Sequence, residues 1–137
     1  MGNVLKVAET IESTETETRE EVKQRRIVVL DDDPVFGKVI IRYAKKLQLD
    51  VVYCRTVNEF VDALTSATFD AAIIDYHLEN YVGTEIAFSM RGIPIILTSH
   101  KSQWSKEETT LPDNIIRFVH KKYGAEAILE AAAGIAQ

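Results

Sequence analysis

The sequence has a single cysteine, no long apolar run and no excess of basic residues. Because Cys54 alone cannot form an internal disulfide, the chain fits a reducing compartment. No apolar run approaches the roughly 20 residues that a membrane-spanning helix needs, and the N-terminus lacks the apolar core of a signal peptide. The 16 basic residues are outnumbered by 21 acidic ones, which argues against a nucleic-acid footprint. We therefore expect a cytoplasmic chain that binds neither nucleic acid nor membrane directly.

The composition suits one folded domain preceded by a tail. Hydrophobic residues make up 46% of the 137 residues, which is ordinary for a globular protein with a single core. Residues 1–24 are rich in Glu and Thr and poor in aromatic residues, so we expect a flexible acidic tail there. A short amphipathic helix is the alternative, because apolar residues recur at helical spacing at Val4, Val7, Ala8 and Ile11. The folded domain is expected over residues 25–137.

Apolar stretches alternate with amphipathic ones through this domain. Strands are predicted over 25–30, 50–54, 71–75, 93–99 and 115–119. Helices are predicted over 34–48, 57–67, 84–90, 102–110 and 125–137. Pro34 suits the first position of the first helix, and Thr56 can cap the second. This alternation requires right-handed crossovers and predicts an α/β fold with a doubly wound parallel sheet.

Acidic residues follow the first and third predicted strands. The stretch AAIID ends at Asp75, and Asp31 and Asp32 come directly after the first strand. In a doubly wound sheet these strands are neighbours at the switch point, so the carboxylates should converge in one crevice. Converging carboxylates repel one another unless they are protonated or share a cation, and oxygen ligands with room for water favour Mg²⁺. Considered alone, Asp75 could instead only cap the turn after its strand.

A hydroxyl group and a lysine follow the later strands. Thr98 and Ser99 end the fourth strand, and Lys121 comes just after the fifth. An ammonium and a hydroxyl facing a metal site would suit a phosphoryl group, whose oxygens they could share with the ion. Asp75 would then be the nucleophile that forms an acyl phosphate.

Four motifs in order, VVLDDDP, IIDYHLENYVG, IPIILTS and FVHKK, resemble the receiver domain of two-component response regulators over about residues 25–137. The resemblance implies a flavodoxin-like sheet of order 2-1-3-4-5 flanked by about five helices. It also implies a phosphoaspartate switch with Asp75 as phosphoacceptor, Lys121 as the lysine that touches the phosphoryl group and Phe118 as the switch aromatic. The implied Mg²⁺ ligands are Asp32, Asp75, the backbone carbonyl of His77 and, through water, Asp31.

The switch hydroxyl has two candidates, Ser99 and Thr98. They are adjacent, and successive strand residues point to opposite faces, so only one of them can face the site. Counting from Pro94 in the manner of the family's fourth strand favours Ser99, with Thr98 as the runner-up.

Three positions depart from the family pattern. Glu79 stands where a proline is usual, and we expect it to loosen the loop after Asp75 without removing chemistry. Lys122 replaces a proline that commonly follows a cis bond, which leaves open whether Lys121 is held by a trans peptide with an altered aim. His100 replaces a small residue and could narrow the phosphoryl pocket. These departures keep a second interpretation open, an unphosphorylated pseudo-receiver that serves as an interaction module.

The resemblance also implies partners. A histidine kinase or phosphotransfer protein would supply the phosphoryl group, and the protein would assist its own phosphorylation and dephosphorylation rather than turn over external substrates. No further domain follows Gln137 in the sequence, so we expect output by protein contact, unless the chain is a fragment of a larger regulator or hybrid kinase. A homodimer through the predicted fourth helix, fifth strand and fifth helix is possible.

A haloacid-dehalogenase-type phosphohydrolase is the remaining alternative. Asp31 and Asp33 form a D-x-D pair after the first strand, and a hydroxyl and a lysine follow in order. That class also needs a pair of acids after the lysine, where this sequence has only the isolated Glu126 and Glu130.

Overall fold

A five-stranded parallel sheet in the order β2-β1-β3-β4-β5 forms the centre of the protein. The computed structural model describes residues 24–90, 92–100 and 113–136. The strands are β1 Arg26–Leu30, β2 Asp50–Cys54, β3 Ala71–Asp75, β4 Ile95–Ser99 and β5 Ile115–His120. The predicted α/β, doubly wound, flavodoxin-like fold and its strand order 2-1-3-4-5 are confirmed. The predicted tail lies outside the described residues apart from its last position.

Four α-helices and one 3₁₀ helix lie within the described ranges. They are α1 Pro34–Lys46, α2 Val57–Ser66, α3 Gly83–Phe88, the 3₁₀ turn Lys121–Tyr123 and α4 Gly124–Ile135. Pro34 is the first residue of α1, and the Thr56 hydroxyl accepts a hydrogen bond from the Glu59 N–H at the start of α2, as predicted. The helix predicted over 102–110 lies outside the described residues. No helix of the described part is long and apolar enough to cross a membrane.

Two details of the helices are not evident from the sequence pattern. Val35 has the helical spacing of an apolar face with Val39, yet it is 68% exposed, because the buried stripe passes through Gly37, Ile40 and Ala44. Gly134 is a residue type that often interrupts a helix, but α4 continues to Ile135. Packing of its buried residues against the sheet outweighs the weak helix propensity of a single glycine.

The core has two layers, one on each face of the sheet. Alternate strand residues such as Val29, Ile73 and Ile96 pack with α1 and α4, and their neighbours Leu30, Ile74 and Leu97 pack with α2 and α3. All five residues of β3 are buried, which confirms that this apolar stretch is a central strand covered on both sides. Asp75, the polar last residue of β3, therefore lies buried at the carboxyl edge of the sheet.

Candidate functional site

Three carboxylates converge at the carboxyl edge of β1 and β3. Leu30 pairs with Ile74 in parallel register, so Asp31 and Asp75 leave neighbouring strands at the same level. Asp31, Asp32 and Asp75 each offer one carboxylate oxygen, and these oxygens all lie within 4.8 Å of one another. Asp31 and Asp75 are only 1% and 2% exposed, whereas Asp32 is half-buried at the mouth. The acids that the sequence singled out are therefore brought together.

Burial makes this cluster electrostatically unfavourable. Burial and the neighbouring Asp31 charge together raise the pKa of Asp75 to about 6, although Lys121 opposes the rise. Burial also raises the pKa of Asp31, against the lowering effect of Lys121 and of the Asp33 N–H. One lysine thus compensates only part of the negative charge. The cluster offers only oxygen donors, which lie close together and carry more negative charge than Lys121 balances. Such a donor set suits a small hard divalent cation.

Lys121 reaches the cluster from the far side of the sheet. Its Nζ lies 2.6 Å from Asp31 Oδ2 and 3.7 Å from Asp75 Oδ1, and its side chain is 13% exposed. The Asp31 contact is a close, buried ion pair. The Phe36 ring lies 4.6 Å from Nζ and adds a cation–π contact that the sequence analysis missed. Nothing in the sequence signals Phe36, because the contact depends on how α1 is rotated against the sheet.

The peptide bond after Lys121 is trans, since the described residues contain no cis peptide bond. Lys121 opens the 3₁₀ turn, and the Lys122 N–H donates to His120 Nδ1 at 2.9 Å. Of the two arrangements considered for Lys122, the trans peptide is therefore observed. The Lys121 ammonium still reaches both buried carboxylates, and it lies closer to Asp31 than to Asp75.

The loop after β3 holds the third acid. The Glu79 N–H donates to Asp32 Oδ2 at 2.8 Å, whereas the His77 N–H is 3.4 Å from Asp75 Oδ1. A proline at position 79 would have no N–H to donate. The expectation that Glu79 merely loosens this loop is therefore incomplete, because its backbone ties the loop to Asp32.

Gly83 closes the same loop for a steric reason. A Cβ at this position would lie 2.6 Å from the Asp75 carbonyl oxygen. The Gly83 N–H donates to the Tyr76 carbonyl at 2.8 Å, and His77 and Val82 form an antiparallel bridge. Gly83 does not belong to the positive-φ glycines of the described part, which are Gly92 and Gly124. Close approach of two backbones explains this glycine.

The two hydroxyl candidates lie on opposite faces of β4. Thr98 pairs with Asp75 and lies on the face of Ile96; it is fully buried, and its Oγ1 has no hydrogen-bond partner among the described residues. Ser99 follows Leu97 on the other face and is also buried. Phe118 pairs with Leu97 and packs in the same layer. Ser99 and Phe118 therefore share a face that Thr98 does not share.

His100 is exposed at the end of β4. Its ring centroid lies 6.5 Å from that of His77, with the rings at 60°. A cleft of about 240 Å³ opens next to Asp32, between the start of α2 and the loop after β3.

Tyr53 is a further residue that the sequence analysis treated only as part of a strand. Its hydroxyl donates to the Asp31 carbonyl at 2.7 Å and approaches the Asp33 carbonyl at 3.1 Å. Burial and the neighbouring acids raise the pKa of Tyr53 to about 12, so the hydroxyl keeps its proton at neutral pH. The position of a tyrosine near the carboxyl end of an apolar strand was the sequence signal that could have indicated this contact.

Known structures share this fold. The receiver domain protein (CheY-like) from Methanospirillum hungatei JF-1 is 19% identical, with a TM-score of 0.71, over 83% of this chain and 94% of that one. A receiver protein from Burkholderia phymatum is 21% identical with a TM-score of 0.71, over 82% and 95% of the two chains. The regulator TrrA from Thermotoga maritima, solved in complex with Mg(2+)-BeF, is 19% identical with a TM-score of 0.68, over 82% and 99%. These likenesses show the fold.

The family is shown by sequence. A search of curated proteins returned no significant match. The family model described as "Response regulator receiver domain" matches residues 27–133, which is most of the chain and contains every acid of the cluster. The chain therefore belongs to the response regulator receiver domain family.

Proposed function

We propose that this protein is a phosphoaspartate signalling switch in which Asp75 accepts a phosphoryl group from a histidine kinase or phosphotransfer protein. The observation that carries the proposal is the position of the Asp75 carboxylate. It lies buried at the end of a central strand, in one cluster with the oxygens of Asp31 and Asp32, and 3.7 Å from Lys121 Nζ. This surrounds one nucleophilic oxygen with the charges that phosphoryl transfer requires.

The residues present fit Mg²⁺. Asp32 and Asp75 are the proposed direct ligands, Asp31 the ligand through water, and the His77 backbone carbonyl the remaining protein ligand. When bound, Mg²⁺ would neutralise the carboxylates and the phosphoryl oxygens and so lower their mutual repulsion. The oxygen-only donor set and the under-compensated charge described above support this assignment.

The chemistry follows from the ionised carboxylate. An Asp75 oxygen attacks phosphorus as the phosphorus–nitrogen bond of the donor phosphohistidine breaks, and the bonding electrons return to the imidazole. The product is an acyl phosphate on Asp75. The Lys121 ammonium, now held by Asp31, would contact the new phosphoryl oxygens and balance part of their charge.

Ser99 is the proposed switch hydroxyl, with Thr98 as the runner-up. Ser99 would donate to a phosphoryl oxygen, and Phe118 would fill the space that Ser99 leaves. The shared face of Ser99 and Phe118 supports this choice, since a residue on the opposite face could not exchange places with the Phe118 ring.

The alternative is a pseudo-receiver that is not phosphorylated. The observation in its favour is the position of the Lys121 ammonium, which lies 2.6 Å from Asp31 Oδ2 but 3.7 Å from Asp75 Oδ1. A dehalogenase-type phosphohydrolase has less support. Glu126 and Glu130 lie on α4, outside the acidic cluster found among the described residues.

The decisive experiment is incubation with Mg²⁺ and acetyl phosphate, comparing wild type with Asp75→Asn. We expect one phosphoryl adduct on wild type, removed by base and by hydroxylamine, and none on the variant, measured by intact-protein mass spectrometry. Asp33→Asn is the matched control, because Asp33 caps α1 outside the cluster, and it should still be labelled. Absence of an adduct on wild type, with no response to beryllium fluoride, would leave the pseudo-receiver.

Partners and place belong to the same proposal. The chain would signal to an output protein through direct contact. A homodimer through β5, the final helix and the helix predicted over 102–110 remains a prediction. A cytoplasmic location likewise remains a prediction, as does the origin of the chain as a whole regulator or a piece of a larger one.

A further inference from the structure

We infer that Tyr53 is a positioning residue for the acidic loop, acting on the Mg²⁺ ligands through the backbone carbonyls of Asp31 and Asp33. The inference rests on the proposed function, because it concerns the same metal site. It assigns to a strand residue outside the four family motifs the task of fixing the direction of the carboxylates.

The geometry places one hydroxyl at both ends of a three-residue loop. Tyr53 belongs to β2, pairs with Val29 of β1, and packs in the layer of α1 and α4. Its oxygen is 2.7 Å from the Asp31 carbonyl oxygen and 3.1 Å from that of Asp33. A phenol has one proton, so the two carbonyls share it in a bifurcated hydrogen bond. The shorter contact identifies Asp31 as the principal acceptor.

This arrangement constrains the residue between the two carbonyls. Only Asp31, Asp32 and Asp33 connect β1 to α1, and Asp32 is the proposed direct metal ligand. Tying both carbonyls to one point fixes the peptide planes that join Asp31 to Asp32 and Asp33 to Pro34, and so limits the backbone rotation of Asp32 between them. The loop is also braced by the Asp31 N–H to the Cys54 carbonyl and by the Asp33 N–H to Asp31 Oδ1. Repulsion among the three acids would otherwise favour a more open loop.

Gly37 makes room for the tyrosine ring. It is a buried glycine in the interior of α1, a position where glycine is among the poorest helix formers. A Cβ there would lie 2.4 Å from two ring carbons of Tyr53, closer than real contacts allow. The ring therefore explains the glycine, and the two positions are sterically complementary.

The test is Tyr53→Phe, which removes only the hydroxyl. We expect Mg²⁺ binding, measured by calorimetry without a phosphodonor, to weaken about tenfold, as is typical when a group that orients a metal ligand is lost. The amide signals of Asp32 and Asp33 in metal-free protein should shift and exchange faster with solvent. Tyr43→Phe is the matched control, because Tyr43 packs against the same layer from the other end of α1 and should leave the Mg²⁺ affinity within about twofold.

Two further measurements separate positioning from a general structural role. In acetyl phosphate labelling, Tyr53→Phe should raise the Mg²⁺ concentration for half-maximal rate and leave the maximal rate nearly unchanged, whereas a loosened fold would lower the maximal rate. Gly37→Ala should weaken Mg²⁺ binding similarly, since its Cβ displaces the ring. In a Tyr53→Ala background Gly37→Ala should have no additional effect, because the clash is gone.

Unchanged Mg²⁺ affinity in Tyr53→Phe would overturn the inference while leaving the proposed function intact, provided that wild type binds Mg²⁺ and is labelled on Asp75. Additive effects of Gly37→Ala and Tyr53→Ala would also overturn it. Failure of wild type to be labelled contradicts the proposed function instead, and the metal-free amide signals still decide whether Tyr53 fixes the loop.

Discussion

At the scale of single residues, Glu79 shows how a departure from a family pattern can add an interaction. Its N–H donates to Asp32 at 2.8 Å, at a position where the family usually has a proline. A hydrogen bond to a charged acceptor typically stabilises a protein by about 1.5 to 3 kcal/mol, and less where water competes. The bond is exposed to water, so we place its contribution below that range, at about 1 kcal/mol.

Glu79→Pro should therefore lower the free energy of unfolding by about 1 kcal/mol in metal-free buffer, because it removes the N–H and leaves Asp32 with one partner fewer. Urea denaturation measures the change. Glu79→Ala, which keeps the N–H, should stay within about 0.5 kcal/mol of wild type. If the two variants were equally destabilised, the side chain rather than the backbone would be responsible.

At the scale of elements, β4 separates two hydroxyls by alternation alone. Thr98 faces the layer of α1 and α4, and Ser99 faces the layer that contains Phe118. The end of the strand thus presents two chemically similar groups to two different helical layers. Under the proposed switch, Ser99 is the hydroxyl that can couple the site to the Phe118 ring, because these two residues share a layer.

Ser99→Ala should abolish the change in the Phe118 ring signals that beryllium fluoride produces in wild type, because the donor that moves toward the phosphoryl position is gone. Thr98→Val is the matched variant, since it removes a hydroxyl and keeps the shape. It should preserve the change. Nuclear magnetic resonance of the aromatic signals gives the measurement, and loss of the response in Thr98→Val alone would identify Thr98 as the switch.

Element order was predictable from the sequence, but the contacts between elements were not. Runs of apolar residues that end in acids suffice to place Asp31, Asp32 and Asp75 at one edge, because every parallel strand presents its carboxyl end there. Tyr53 and Phe36 could not be found in this way. Their contacts depend on the register of β2 against β1 and on the rotation of α1, which a single sequence does not encode locally.

At the scale of the whole molecule, the buried polar groups of the candidate site lower the stability of the fold. The described residues contain five buried polar ones, and four of them, Asp31, Asp75, Thr98 and Ser99, lie at the carboxyl edge of the sheet. The pKa of Asp75 rises from an ordinary 3.8 to about 6, so the folded protein holds this proton more tightly than the unfolded chain. Stability from this group is complete below about pH 4 and is lost as the pH rises through about 6.

Asp75→Asn should therefore stabilise the metal-free protein by about 3 kcal/mol at pH 8 and by little at pH 4. Urea denaturation in a chelator at both pH values tests this. Added Mg²⁺ should stabilise wild type far more than the variant, because only wild type keeps the full ligand set. The exposed Asp62→Asn on α2 is the control and should show neither effect. A variant less stable than wild type at pH 8 would show that the carboxylate is well compensated.

The loop after β3 has its two ends fastened together. Gly83 lies against the Asp75 carbonyl and donates to Tyr76, and the bridge between His77 and Val82 continues the closure. The tip, with the exposed Asn80 and Tyr81, hangs from this closed neck. The tip can therefore be substituted to suit a different partner while Asp75, the proposed phosphoacceptor at the base of the loop, keeps its position.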